Sequence, residues 1–66
     1  MNIAINGENR EAPDGETVAE LLKRLGVNPL HVAVEVNLDV CPRTKHAECK
    51  LRDGDQIEVV TLVGGG

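Results

Sequence analysis

The sequence predicts an α+β domain in which one helix lies across one face of a mixed sheet of about four to five strands. Three observations carry that class. One stretch has a helical apolar stripe with both ends marked, short runs of alternating apolar residues flank it on either side, and turn residues sit at each junction. With 66 residues there is room for one domain, which at this size buries only about 60% of the surface its unfolded chain exposes. The chain has no Phe, Tyr or Trp, so Val, Leu, Ile and Ala must build the core.

Ile3 and Ile5 alternate with polar neighbours, and Asn6-Gly7 follows, a pair that tolerates the positive φ a tight hairpin needs. A second strand is expected over residues 8–12, closed by the turn Pro13-Asp14-Gly15. Thr17 and Glu20 have capping-box spacing, Val18, Leu21, Leu22 and Leu25 form one apolar stripe, and Gly26 is a natural stop. A helix over 17–25 results, too short to persist unless its stripe packs on a sheet. Val32, Val34 and Val36 alternate with Ala33 and Glu35 as a half-buried strand, and Asn37-Leu38-Asp39 turns into a short strand at Val40 and Cys41 that Pro42 ends. Residues 43–50 are polar and irregular, with one helical turn expected over 44–47. Asp53-Gly54-Asp55 then leads into the longest apolar run, residues 56–63, whose continuity predicts burial on both faces and a central place in the sheet. The expected order is hairpin, helix, two short strands, irregular turn and final strand. With the last strand beside the first, this is the ubiquitin-like or β-grasp arrangement. One domain spanning 1–66 is expected, ending in a flexible tail at Gly64, Gly65 and Gly66.

Composition narrows the function. A net charge of −4, from seven basic and eleven acidic residues, argues against nucleic acid and favours a protein partner with a basic face. No apolar run approaches a membrane span, and residues 1–6 lack the features of a signal peptide, so the reading is cytoplasmic, with Cys41 and Cys49 as reduced thiols. Cys41, His46 and Cys49 supply only three local candidate ligands, and the pairs of a structural zinc site are missing, so no metal is expected. His31 has no nucleophile in a recognisable arrangement with it, Asp53 and Asp55 read as turn residues, and no phosphate loop or dinucleotide fingerprint is present. No cofactor and no catalytic residue of its own are expected. What remains is the glycine run, which has no side chains to pack and can thread a narrow channel. Three extended glycines reach about 10 Å.

Taken together, the Asn6-Gly7 hairpin, the 17–25 helix, Val34-Glu35-Val36-Asn37, Pro42-Arg43, the stretch from Asp53 to Val60 and the ending Val63-Gly64-Gly65-Gly66 resemble the ThiS family of sulfur carriers in thiamine biosynthesis. The resemblance spans the whole chain. It implies a β-grasp carrier, a protein cosubstrate and not an enzyme. In that family the terminal glycine carboxylate is adenylated by an E1-like, ATP-dependent adenylyltransferase of the ThiF type. A cysteine-derived persulfide then supplies sulfur, and the thiocarboxylate delivers it to a thiazole synthase of the ThiG type. Carried over, Gly66 is the modified residue, with Gly64 and Gly65 its tail. Leu62 and Val63, nearest the tail, are expected to dock these enzymes. Cys41 stands where the family commonly has an aliphatic residue, and the aromatics that some members carry in the first strand are missing. Carriers for molybdopterin, cysteine or tRNA thiolation, and ubiquitin-like protein modifiers, use the same tail and remain alternatives.

Overall fold

The computed structural model describes residues 1–62. Its elements are β1 (Asn2–Ile5), β2 (Glu8–Glu11), α1 (Val18–Leu25), β3 (Val32–Val36), β4 (Asp39–Cys41) and β5 (Gln56–Thr61), with 3-10 turns at Pro29–His31 and Arg43–Lys45. The five strands form one sheet in the order β2-β1-β5-β3-β4. Only β1 and β5 run parallel, and β5 pairs antiparallel with β3 over five register positions from Val32↔Thr61 to Val36↔Ile57. The sheet is therefore mixed, as expected, and the final strand is its centre.

The helix forms where local chemistry dictates. Thr17 Oγ1 accepts from the Glu20 N–H at 3.2 Å, and Glu20 Oε1 accepts from the Thr17 N–H at 2.9 Å, closing the capping box. Two more N–H groups of the first turn are met by the irregular segment: Val18 donates to the Cys49 carbonyl and Ala19 to that of His46. At the far end Gly26 takes φ 73°, and the Val27 N–H donates to Leu22 O at 2.9 Å. Val18, Leu21 and Leu22 are fully buried against Ile3, Ile5, Val34, Leu51 and Ile57. This is the core, and it lies wholly between α1 and one face of the sheet.

The expected burial of the last strand on both faces does not hold. Ile57 is buried and Val59 half-buried on the helix side, but Gln56, Glu58 and Val60 on the other face are exposed. A lone helix can cover only one face, so β5 is central because of its two ladders rather than because it is surrounded. Boundaries also shift slightly. The second strand stops at Glu11, the last at Thr61, and the helical turn expected over 44–47 is a 3-10 turn one residue earlier.

Both hairpin tips do more than turn. Asn6 at φ 50° reaches across β1 to β5, its side-chain amide accepting from the Val59 N–H at 2.8 Å and donating to Val59 O at 3.1 Å. Asn37 at φ 52° accepts from the Gln56 N–H at 3.0 Å and donates to Asp55 Oδ1 at 2.9 Å. The Asn6 amide imitates a peptide unit beside β5, and the Asn37 amide bridges the Gln56 N–H to the Asp55 carboxylate, so β5 is held at two positions by side chains. Asp53 likewise reaches far from its turn, accepting from the Asn2 N–H at 2.7 Å. One ion pair is built into the core margin. Glu16, 4% exposed, receives both Arg24 Nε and Nη2 at 2.8 Å.

Candidate functional site

The geometry that bears on the tail is the end of β5 and the uncovered face beside it. Leu62, half-exposed, donates its N–H to His31 O at 2.8 Å, so the 3-10 turn Pro29–His31 fixes where the chain leaves the sheet. His31 is exposed at that turn and serves through its backbone. Val63, Gly64, Gly65 and Gly66 lie outside the described residues.

On the uncovered face the register sets Ala33 opposite Val60 and Glu35 opposite both Val40 and Glu58. Val40, Val60, Leu62 and the nearby Leu30 all expose half or more of their surface. Glu35 and Glu58 form a cross-strand pair of like charges, which disfavours the free sheet, and neither is ion-paired among the described residues. An apolar strip interrupted by two facing carboxylates matches a partner surface that is apolar and carries a cation. Leu62 was singled out from the sequence as a docking residue, whereas Val40, Val60 and the acid pair were not named, because only the β3–β4 and β3–β5 registers bring them together.

The remaining candidates are structural. Asp55 accepts from the Arg52 N–H at 2.8 Å and binds Asn37, while Asp53 holds Asn2, so the two act as separate anchors rather than as a catalytic pair. Among the described residues no three His, Cys, Asp or Glu side chains are grouped to hold a metal, and no helix is long and apolar enough to cross a membrane.

Cys41 and Cys49 are free thiols whose side chains lie against each other. Burial, and then the neighbouring Cys49, push the Cys41 thiol up to about 11 from the ordinary 9.0. A thiol raised on folding favours the folded state below its ordinary value, and that contribution disappears as pH rises through the folded value. Urea midpoints are therefore expected to fall between about pH 9 and about pH 11. Cys41→Val, which removes the titrating group, should flatten that part of the profile. An unchanged slope would assign the loss to other groups.

A five-stranded mixed sheet wrapped on one helix, with the last strand central and leading to the tail, defines a ubiquitin-like β-grasp protein. Comparison with known proteins gives the family. The ThiS family model matches residues 3–66, and the chain belongs to the ThiS family. It is 33% identical to the sulfur carrier protein ThiS of Escherichia coli over the full length of both. The crystal structure of the thiamine biosynthesis protein ThiS from Geobacter metallireducens superposes with a TM-score of 0.88 at 33% identity, covering all of both chains. A thiazole synthase of Paramagnetospirillum magneticum is 44% identical over the whole of this chain. The chain spans only 20% of the length of the thiazole synthases it matches.

Proposed function

We propose that this protein carries sulfur for thiazole formation in thiamine biosynthesis, with the Gly66 carboxylate as its chemical handle. The end-to-end likeness to a sulfur carrier protein is the observation that carries the reading. A carboxylate with an ordinary terminal pKa of about 3.5 is ionised at pH 7 and is a poor electrophile. Attack of its oxygen on the α-phosphate of ATP, with loss of pyrophosphate, converts it to an acyl adenylate. A persulfide sulfur then displaces AMP, and thiol cleavage of the remaining S–S bond releases the thiocarboxylate. The activating enzyme is an E1-like adenylyltransferase of the ThiF type, and all catalytic groups belong to the partners. That proteins named thiazole synthase contain a stretch so like this chain supports a thiazole synthase as the sulfur acceptor.

In this reading Gly64 and Gly65 pass through the partner's channel while Leu62 and Val63, with Val60 beside them, dock its apolar rim. Glu35 and Glu58 supply the charge that selects a basic partner face. Leu62→Asp is expected to weaken the complex with the adenylyltransferase by about tenfold or more while the fold persists, because it replaces an apolar contact at the rim with a carboxylate that must be desolvated there. Titration calorimetry on the purified pair reads this, and unchanged affinity would remove Leu62 from the interface.

Intact mass spectrometry of the protein from its own cells tests the function. The expected species has one terminal oxygen replaced by sulfur. A population found only as conjugates to lysines of other proteins would overturn the carrier in favour of a modifier.

A further inference from the structure

The helix side of the molecule holds a groove that neither the core nor the tail explains. It has a volume of about 470 Å³ and lies between α1 and the segment that follows Pro42. Leu22, Val27 and Pro29 give it an apolar lining, Lys23 and Arg43 stand at its rim, and His46 lines it from within.

Three observations point to a ligand here. His46 is 5% exposed, and its imidazole has no hydrogen-bond partner among the described residues. Among the described residues no side-chain nitrogen or oxygen sealed from solvent lacks a partner, so the ring nitrogens keep some access to solvent, and His46 is among the residues that line both this groove and an adjoining one. Second, Lys23 and Arg43, like Lys50 and Arg52 elsewhere, form no ion pair among the described residues, but these two line the same apolar groove. In a chain of net charge −4, two unpaired cations on one apolar groove are a local reversal of sign. Third, an adjoining groove of about 220 Å³ shares Pro29, Arg43 and His46 with the first and extends to Leu62. The site thus begins where the described chain leaves the sheet.

From this continuity we infer that the adenylyltransferase receiving the tail also places a short segment in this groove, an aliphatic side chain on Leu22, Val27 and Pro29 and an adjacent Asp or Glu carboxylate near Lys23 and Arg43, with the His46 ring as a further polar contact. The inference rests on the carrier reading for the identity of the partner. It adds a second attachment, on the helix side of the domain, with the charge polarity reversed. A partner making both contacts would present a cation to Glu35 and Glu58 and a carboxylate to Lys23 and Arg43, which fixes the orientation of the carrier as well as its affinity.

The test uses the whole chain and the adenylyltransferase of the same cells, with adenylation followed by pyrophosphate release. The double variant Lys23→Glu/Arg43→Glu is expected to raise KM for the carrier about tenfold or more at unchanged kcat. Arg10→Glu/Arg52→Glu makes the same change in net charge away from the groove and should leave KM within about twofold. Equal KM for wild type and the groove variant, or an equal rise in both double variants, would overturn the inference. The peptide N-acetyl-Leu-Glu-Leu-amide, titrated into isotope-labelled protein, reads the groove without any activity. Saturable shifts are expected at the Lys23, Thr44 and Ala47 amides, absent with the Gln-for-Glu peptide and lost in the groove variant. No saturable shift, or the same shift with the Gln peptide, would also overturn it. Should the wild-type chain with an intact tail never acquire sulfur, the carrier reading fails, and the peptide titration alone judges the groove.

Discussion

Deleting Gly66, or adding one residue after it, is expected to abolish sulfur loading while leaving the thermal midpoint of the domain unchanged. The reason is positional. A tail of extended glycines advances about 3.3–3.6 Å per residue, so one residue too few or too many displaces the carboxylate by more than the tolerance of a reacting geometry. Rates lost through a misplacement of about 1 Å already reach about 100-fold. The core cannot register the change, since Val18, Leu21, Leu22 and Ile57 are packed between α1 and the sheet and the described fold is complete by Leu62. Mass spectrometry after incubation with the adenylyltransferase, ATP and a persulfide donor is the measurement. Sulfur gained by either variant would refute the terminal-carboxylate mechanism.

Arg24→Ala is expected to cost about 2–3 kcal/mol of folding stability. Arg24 donates twice to a carboxylate that is 4% exposed, and removing it leaves Glu16 charged, desolvated and without its partner. The figure sits below the full cost of breaking a buried pair because the Arg24 side chain is itself 38% exposed, so water can enter and solvate part of the gap. Against a total of about 3–10 kcal/mol for a chain of this length, the loss is severe. Replacing both partners by Leu should cost much less than Arg24→Ala, since no charge is then stranded. Urea denaturation of the two variants decides it, and equal losses would show that packing of the arginine stem, not the charge, is what matters.

Elements set by neighbours in sequence were legible before the structure. The Thr17–Glu20 box, the Val18, Leu21, Leu22, Leu25 stripe and the Gly26 stop define α1 because each acts within one or two helical turns. The alternation of Val32, Val34 and Val36 defines β3 in the same way. What was not legible depends on pairs distant in sequence. Glu16 and Arg24 are eight residues apart, farther than the one-turn spacing by which helix ion pairs are recognised, and they meet because Glu16 precedes the cap. Asn6 and Val59 meet across 53 residues. The apolar run after Gln56 misled for a related reason: continuity signals burial only if the fold has enough layers to cover both faces, and one helix covers one. At the candidate site, Leu62 was foreseeable from its place beside the tail, whereas the Glu35–Glu58 pair and the His46 groove emerge only from register and loop packing.

The side-chain amides of Asn6 and Asn37 have a mechanical consequence. In the proposed carrier role, an enzyme that held the tail while the domain diffused away would put β5 under tension along its own axis. Because β5 lies between two strands, that load falls on both ladders in shear, so many hydrogen bonds must stretch together rather than peel one after another. The two asparagines add rivets near the middle and the start of the strand, at Val59 and Gln56. A domain with no aromatic side chain thus resists a pull on its terminus through side-chain bonds as well as through its ladders.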